Sequence, residues 1–548
     1  MEQLQTIDGL LLAKMMRAGA ASLRAQEQTI NELNVFPIPD GDTGSNMLLT
    51  ALGGVEKCGD GVGPVSEVAR HISDGMLLSA RGNSGVILSQ IFDGIADGFR
   101  GLETADCAAL AHALQCGTEH AYQAVMEPAE GTILTVMRCA AEYAAAQNAA
   151  TPEALCREFL AEARRTLERT PELLPVLKKA GVVDSGGAGL VCIAEGMLEV
   201  LTGTEAGEDA VSAPAPAGEQ VLDLDRFTED SVLEFGYCTE LLLRLQRSKT
   251  DIDSFTVDRL TDYLSGIGDS LVVFQTGSIV KIHVHTMTPD RVLGFCQRYG
   301  EFLKIKIENM SLQHNNLHDA EQKAPAAPQQ KRKPFAIVAV ASGEGIKDLF
   351  RETGADVIVD GGQSSNPSTE DFLSAFAQAN ADTIFVLPNN GNIILTARQA
   401  AGMYSDADVR VMESHTIGDG YAALSMFSAD SGDADQIAAE LTAAMQGVVT
   451  AEISRSVRDA QGVHAGEYIG FSGKEILAAD ASRFAAVCKT AAQLDLSAYD
   501  ICLLLCGKDA DPDESAALQA EFRSRYPGKE LYVIDGRQEV YDYVLILE

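Results

Sequence analysis

Several features that mark particular protein classes are absent from this sequence. It has no tryptophan, and its eleven cysteines, an odd number, include no Cys-x-x-Cys pair. That usage argues against a disulfide framework. No apolar run reaches the roughly 18 residues of a membrane span. The first residues resemble an amphipathic helix more than a signal peptide. We therefore expect a cytoplasmic protein.

Basic residues are scarce. The 42 lysines and arginines face 79 aspartates and glutamates, which gives a formal net charge of −37. A field of that sign repels nucleic acid and anionic lipid, so we expect neither as a partner. The usual P-loop is missing too, because each Gly-Lys pair is followed by Glu or Asp. A bound phosphate would need a metal held by carboxylates, or backbone amides.

Two stretches poor in large apolar residues, 203–220 and 319–334, read as linkers and divide the 548 residues into three blocks. Residues 1–202 alternate Ala/Leu-rich runs with glycine-rich interruptions, which predicts an all-α bundle. Residues 221–318 carry a hairpin pattern between helical segments, which predicts a small α+β domain. Residues 335–548 alternate apolar strands with helices, which predicts a doubly wound α/β domain and leaves a division into two subdomains open.

The most informative segment is NVFPIPDGDTGSNM, residues 34–47. Two aspartates lie one glycine apart, directly before a predicted helix. Hard cations prefer several convergent carboxylate oxygens, and a helix start offers amides to phosphate. The motif alone fits a solvated Asp-Gly turn with an N-cap better.

Three further loops of small residues precede helical runs, at 80–86, 130–134 and 184–190. Ordinary helix connections explain any one of them. Four such loops in one helical block, one of them with paired carboxylates, indicate loops gathered at one end around a metal–phosphate ligand.

The segments NVFPIPDGDTGSNM, ARGNSGVILSQ and GVVDSGGAG resemble the ATP-binding domain of the dihydroxyacetone kinase family. With YCTE, KIHVHT, GGQSSNPSTEDF and LPNNGNIILTA, the whole chain resembles the A-type component of the fatty acid kinase family. The resemblance implies an eight-helix barrel that binds Mg-ATP and a DegV-like α/β domain that docks a separate fatty-acid-binding B-type protein. The middle domain is our candidate for homodimerisation.

The resemblance also implies site residues. Asp40 and Asp42 would hold Mg²⁺. A third family aspartate is replaced by Val35, which leaves Asn34 as the nearest polar substitute. The positions that would contact the nucleotide are Thr43, Gly44, Ser45, Asn46, Asn83, Ser84, Gly85, Thr132, Ile133, Asp184 and Gly186.

A second candidate metal site lies in the middle block. His283 and His285 share one strand face, opposite Val280, Ile282 and Val284, and Cys238 lies on a probable neighbouring strand. On spacing alone, a solvent-facing pair of histidines beside a buried cysteine is slightly favoured. The family resemblance favours a Zn²⁺ site of Cys238, His283 and His285, with a catalytic or a structural role.

In the last block, polar loops at 361–369 and 389–392 follow predicted strands, where α/β sheets bind ligands, although plain loop chemistry explains them equally well. The function that the resemblance implies is phosphorylation of a fatty acid carboxylate. A carboxylate is already ionised at neutral pH, so no general base is obligatory. Two alternatives stay open: a kinase of a small polyol, and a non-catalytic scaffold that senses nucleotide or metal.

Overall fold

The computed structural model describes most of the chain. The described residues are 5–33, 41–203, 237–250, 255, 257–276, 279–309, 332–362, 365–429, 432–459, 463–499 and 501–548. The two predicted linkers, and the segment with Asn34 and Asp40, lie almost wholly or wholly outside these ranges.

The described part of the helical domain, residues 5–203, contains nine helices and confirms the all-α prediction. They are α1 (Gly9–Asn31), α2 (Thr43–Cys58), α3 (Val65–Ser79), α4 (Gly82–Gly98), α5 (Cys107–Gln123), α6 (Ile133–Ala146), α7 (Pro152–Leu173), α8 (Pro175–Ala180) and α9 (Ser185–Thr202).

The eight long helices form a closed ring. Each packs on the next in chain order, α7 packs on α9 past the short α8, and α9 closes the ring against α1. Methionine, isoleucine and phenylalanine side chains such as Met16, Ile91 and Phe99 fill its core. By length and composition alone, α9 is apolar enough to cross a membrane. Here it is one wall of the ring, with Leu190 and Ile193 buried.

Local sequence signals explain several helix starts. Asp8, Asp106 and Thr151 accept hydrogen bonds from the first turns of α1, α5 and α7, and Pro152 occupies the first turn of α7. These are ordinary N-caps, and proline is favoured at that position because its missing N–H needs no partner.

The middle domain, residues 237–309, is α+β as predicted. Its elements are β1 (Tyr237–Leu245), α10 (Asp258–Leu264), β2 (Gly268–Thr276), β3 (Ile279–Thr286), α11 (Pro289–Cys296) and β4 (Gly300–Asn309). The sheet order is β2-β3-β1-β4, and β2 and β3 form the predicted antiparallel hairpin. Val280, Ile282 and Val284 are fully buried, which confirms that they face the core.

The C-terminal domain, residues 332–548, begins with a four-stranded parallel sheet of order β6-β5-β7-β8. Its elements are β5 (Lys333–Ala341), α12 (Glu344–Thr353), β6 (Val357–Asp360), α13 (Thr369–Ala379), β7 (Ala381–Leu387), α14 (Ile394–Met403), β8 (Asp408–Val411), α15 (Ile417–Met426) and α16 (Ala434–Gln446).

A second sheet of six strands completes this domain, with order β11-β10-β9-β14-β12-β13. The elements are β9 (Val449–Arg455), β10 (Tyr468–Ser472), β11 (Glu475–Asp480), α17 (Arg483–Gln493), a short 3₁₀ helix (Leu496–Ala498), β12 (Ile501–Cys506), α18 (Pro512–Arg525), β13 (Glu530–Asp535) and β14 (Tyr543–Leu547). The doubly wound prediction is wrong for this half. Only β12 and β13 pair in parallel, and the other four pairs are antiparallel.

Successive side chains of β5 point to opposite faces of the first sheet, and each face packs against a different layer of the C-terminal domain. Ile337 and Ala339 face a core shared with α12, α15 and the second sheet, while Ala336 and Val338 face α13 and α14. Cys502 and Cys506 are buried in a further core beneath α17 and α18. The outer helices α13 and α14 lie on the side of the first sheet away from the second.

The chain forms two compact units. One consists of Met1–Ala213 together with Arg332–Glu548, and the other of Pro214–Lys331. The helical and C-terminal domains therefore belong to one unit, in which α14 packs against α4 and α13 against α3.

Candidate functional site

The starts of four helices meet at one end of the helical ring. The Ser185 Oγ at the start of α9 donates to the Thr43 Oγ1 at the start of α2, at 3.3 Å. The Asp184 carboxylate beside α9 accepts from the Ile133 amide at the start of α6. A Cβ at Gly82, the first residue of α4, would lie 2.7 Å from the Asn46 Nδ2. The structure thus brings together the described parts of all four loops singled out in the sequence.

Four helix N-termini at one place create an environment for anions. Unpaired first-turn N–H groups and aligned peptide dipoles give each helix start a partial positive charge. The N-cap positions of α2, α4 and α6 make no side-chain cap hydrogen bond of their own. Among the described residues, the N-cap residues therefore leave these first-turn amides uncapped where the sequence predicts phosphate binding.

Asp42 lies directly before α2 at this end and is partly buried. Burial raises the pKa of its carboxyl group to about 6, against hydrogen bonds from Asn46 and Asn366 that lower it. No cationic side chain among the described residues contributes to that shift. The carboxylate is therefore desolvated and lacks a positive partner in this part of the chain.

The first turn of α2 is held by the end of α1. The Asn31 Oδ1 accepts from the Gly44 amide at 2.7 Å and from the Ser45 amide at 3.3 Å. The Ser45 Oγ donates to the Glu27 carboxylate at 2.6 Å. Phosphate contact at the predicted positions Gly44 and Ser45 would therefore compete with Asn31.

The start of α4 is more open. Asn83 is exposed, Ser84 is half-buried and Gly85 is buried. Gly82 has a φ of +57°, a left-handed conformation that suits glycine. First-turn amides have no partner within their own helix, so those of Asn83 and Ser84 are the best placed of the predicted set to bind an anion.

Asp184 joins the starts of α9 and α6. Its carboxylate accepts from the Gly187 amide at 2.7 Å, and its own amide donates to the Thr170 Oγ1 at 3.1 Å. Burial raises the pKa of this carboxyl group to about 6. Ile133 is buried, and the Thr132 Oγ1 donates to the Ala129 carbonyl at 2.8 Å. A Cβ at Gly186 would lie 3.3 Å from Ile133.

A loop of the C-terminal domain also reaches this end. The Asn366 Nδ2 donates to the Asp42 Oδ2 at 2.6 Å, across 324 positions of sequence. The Arg81 Nη1 donates to the Asn366 carbonyl at 2.7 Å. Sequence reasoning singled out the 361–369 loop for its place after a strand, but no local pattern connects it with Asp42.

Asn31, Glu27 and Arg81 were also missed by sequence reasoning. Asn31 lies at the end of a long helix, where it resembles an ordinary C-terminal residue. Only the packing of α1 on α2 places its side chain over the amides of the next helix.

The predicted metal ligands lie largely outside the described residues. Asn34 and Asp40 are not described, nor are the side chains of Cys238, His283 and His285. Among the residues that are described, no group of three His, Cys, Asp or Glu side chains is placed to hold a metal. The backbone register of the middle sheet pairs Cys238 with His285 and Glu240 with His283.

The described donors at the loop end fit a divalent cation bound to phosphate. A desolvated carboxylate without a cationic partner, beside amide side chains, provides the oxygen ligands that Mg²⁺ prefers. The surrounding helix starts provide N–H groups for the phosphates of a nucleotide.

Comparisons with known proteins agree with this division of the chain. Residues 37–199 match the DAK2 domain family. Residues 234–317 and 336–548 match the FakA-like families, which describe the middle and C-terminal domains of proteins like the A-type component of fatty acid kinase.

Two relatives match along essentially their full length. Protein YloV of Bacillus subtilis is 39% identical, over 100% of this chain and 100% of YloV. An uncharacterized protein of Staphylococcus haemolyticus is 37% identical, over 99% of each chain. Among solved structures, a DegV family protein from Corynebacterium glutamicum is 16% identical with a TM-score of 0.32, covering 39% of this chain and 96% of that one.

Proposed function

The chain belongs to the FakA-like family of fatty acid kinase components, and we propose that it is the ATP-binding component of a fatty acid kinase. It would transfer the γ-phosphoryl group of ATP to the carboxylate of a fatty acid presented by a separate fatty-acid-binding B-type protein. The product would be an acyl phosphate.

The observation that carries this proposal is the convergence of four helix starts at one end of the ring, with Asp42 at the start of α2. Helix N-termini favour phosphate groups, and a desolvated carboxylate among them favours a divalent cation. A scaffold that only docks partners has no need for a buried carboxylate that lacks a cationic partner among the described residues and whose pKa is raised to about 6.

In this proposal the loops before α2, α4 and α6 have different tasks. Asp42, with Asp40, would hold Mg²⁺, and the Asn83 and Ser84 amides at the start of α4 would bind phosphate oxygens. Thr132 and Ile133 would border the nucleotide at the start of α6. When bound, Mg²⁺ supplies charge neutralisation on the β- and γ-phosphates.

The chemistry of the proposed acceptor explains why the reaction needs no general base. A fatty acid carboxylate is ionised at neutral pH, so the attacking oxygen carries no proton to remove. The residues predicted at the four loops include no histidine or lysine that could serve as a general base. Positioning and electrostatic stabilisation then account for catalysis.

The test is transfer of phosphate from radiolabelled ATP, with Mg²⁺ and a fatty-acid-loaded B-type protein. We expect acyl phosphate from the wild-type protein and a loss of about 100-fold or more from Asp42→Asn, by loss of transition-state charge stabilisation. Asp106→Asn, at an N-cap outside the loop end, is the control and should retain activity.

Two results would contradict the proposal. One is transfer to dihydroxyacetone or another small polyol but to no loaded fatty-acid-binding protein. The other is tight binding of ATP without transfer to any acceptor, which would favour a sensing scaffold.

We further propose that Cys238, His283 and His285 hold Zn²⁺ in the middle domain. Directly opposite residues of antiparallel strands have Cβ atoms about 4.5–5.5 Å apart, and Cys238 is opposite His285. His283 is two residues away on the same strand, and the intervening Val284 is buried in the core.

Elemental analysis of the purified protein tests the zinc site. We expect about one zinc per chain, and loss of that zinc in His283→Ala, with ATP binding by the helical domain retained. Wild-type protein without zinc after purification free of chelators would contradict it.

A further inference from the structure

The C-terminal domain contacts the candidate nucleotide site through the side chain of Asn366. Asn366 lies in the loop between β6 and α13, at the carboxyl end of the parallel sheet. Its Nδ2 donates to the Asp42 Oδ2 at 2.6 Å. This is a charge-assisted hydrogen bond to the carboxylate proposed to hold Mg²⁺.

Asn366 is fixed in place by the helical domain. The Arg81 Nη1 donates to its carbonyl at 2.7 Å, and Arg81 also forms a β-bridge with Ser368. The Thr369 amide donates to the Ala80 carbonyl at 3.2 Å. Gly82 makes room for this approach, since a Cβ there would lie 3.0 Å from the Asn366 Nδ2.

Of the two polar atoms of the Asn366 side-chain amide, only Nδ2 forms a hydrogen bond among the described residues. The side chain is 2% exposed, and its Oδ1 has no hydrogen-bond partner among the described residues. A buried acceptor without a partner costs free energy, so such groups are usually paired with water or a ligand. Here the unpaired oxygen belongs to the same amide that binds Asp42.

From these contacts we infer that Asn366 is a positioning residue of the Mg²⁺–nucleotide site, and that docking of the C-terminal domain and binding of Mg²⁺–nucleotide strengthen each other. The inference rests on the proposed function. One oxygen of Asp42 is oriented by the Asn366 Nδ2, which leaves the remaining lone pairs for a cation. Oxygen Oδ1 of Asn366 is available to a water molecule that accompanies the cation.

The expected size of the effect follows from metal sites in general. Removing an outer partner that orients a metal ligand typically lowers metal affinity or activity by about 10–100-fold. A coupling between two binding events is reciprocal, so Mg²⁺–nucleotide should strengthen docking by the same factor.

The first measurement is calorimetric binding of a non-hydrolysable ATP analogue to the full-length protein. We expect Asn366→Ala to lower affinity by about 10–100-fold with Mg²⁺ and to leave it unchanged in a metal chelator. Gln378→Ala removes an exposed amide from α13, the helix that follows the loop, and should bind as wild type. In an Asp42→Asn background, Asn366→Ala should have no further effect.

The second measurement needs no variant. Hydrogen–deuterium exchange of the wild-type Thr369 amide, which donates to Ala80, reports docking. Mg²⁺ with the analogue should slow this exchange by about 10–100-fold, and Mg²⁺ alone or analogue alone should slow it less.

The outcomes separate this inference from the proposed function. Wild-type affinity in Asn366→Ala, an equal loss with and without Mg²⁺, or Thr369 exchange unaffected by Mg²⁺ and analogue would overturn the inference alone. Failure of the wild-type protein to bind the analogue with Mg²⁺ would overturn both.

Discussion

At the scale of single residues, Asp42 is central to the function that we propose for the helical domain. Its carboxyl group is desolvated and accepts from two asparagines, and its pKa is raised to about 6 from an ordinary 3.8. A group of this kind is unfavourable in its charged form unless a cation joins it. Burial also raises the pKa of Asp184, the cap of α9, to about 6.

The first prediction concerns stability and pH. Because the native pKa of Asp42 exceeds its unfolded value, the native protein binds the proton more tightly between about pH 4 and 6. Ionised Asp42 therefore destabilises the fold above about pH 6. Without Mg²⁺, we expect Asp42→Asn to raise the free energy of unfolding by about 1–3 kcal/mol at about pH 7.5.

Urea unfolding across pH checks this prediction. The difference between Asp42→Asn and wild type should shrink as the pH falls from about 6 toward about 4. A difference that grows in that range, or an Asp42→Asn protein less stable than wild type near neutral pH, would contradict it. Saturating Mg²⁺ and nucleotide should stabilise the wild type more than Asp42→Asn, because Mg²⁺ binds the ionised carboxylate.

The second prediction concerns Gly82. An alanine there must adopt a left-handed φ of +57° and would place its Cβ 2.7 Å from the Asn46 Nδ2. Gly181 has a similar φ of +68° and no atom within 4 Å of the position that a Cβ would take, so Gly181→Ala measures the cost of backbone conformation alone. Gly82→Ala should lower the free energy of unfolding by about 1–3 kcal/mol more than Gly181→Ala does, because the added methyl group overpacks the site. If urea unfolding showed the same loss of unfolding free energy in both variants, the loop at Gly82 would have to relax without cost, which contradicts the prediction.

At the scale of elements, the helices of the first domain differ in whether a preceding side chain caps their N-terminus. The α1, α5 and α7 starts are capped by side chains immediately before them. Of the four starts that meet at the candidate site, those of α2, α4 and α6 lack such caps, whereas Asp184 caps α9. Caps satisfy N–H groups that a bound anion could otherwise use, so their absence suits a phosphate site.

The third prediction concerns the substitute cap of α2. Asn31→Ala removes the acceptor of the Gly44 and Ser45 amides, so it should destabilise the protein by about 1–2 kcal/mol in urea unfolding. It should also speed hydrogen exchange in the first turn of α2. Asp106→Ala, the matched loss of a cap on α5, should cost a similar free energy without changing exchange in α2. The same exchange in both variants would refute a local role for Asn31.

At the scale of the whole molecule, the helical and C-terminal domains form one unit through contacts far apart in sequence. Gln399 of α14 is a second point of contact. Its Nε2 donates to the Leu77 carbonyl near the end of α3 at 2.8 Å, and its Oε1 accepts from the Gln90 Nε2 at 3.0 Å. These bonds do not involve Asp42, so they hold the interface independently of the metal site.

The fourth prediction tests that interface. Gln399→Ala leaves the Leu77 carbonyl and the Gln90 amide without this partner, so it should lower the free energy of unfolding by about 1–3 kcal/mol. It should also increase the rate at which protease cleaves near α14. Gln378→Ala, an exposed amide in the same domain, should change neither quantity by a measurable amount. If both variants behaved alike, the Gln399 contacts would contribute no net stability.

The fold was predictable where local signals are strong. Thr151 and Pro152 mark a helix start, the pattern around residues 270–286 marks a hairpin, and both are found. The second C-terminal sheet was not, because apolar runs such as ICLLLC show that a strand is buried but not which neighbour it pairs with. Pairing depends on chain returns that no short pattern encodes.

The sequence by itself therefore determined the elements, the glycine-rich helix starts and the family to which the chain belongs. Each depends on residues a few positions apart, over which backbone propensity and capping act. Tertiary structure alone decided that Asn31 caps the next helix and that Asn366 reaches Asp42 across 324 positions. Such contacts arise from the packing of whole helices and domains, because the side chains meet only after the surfaces that carry them have closed together.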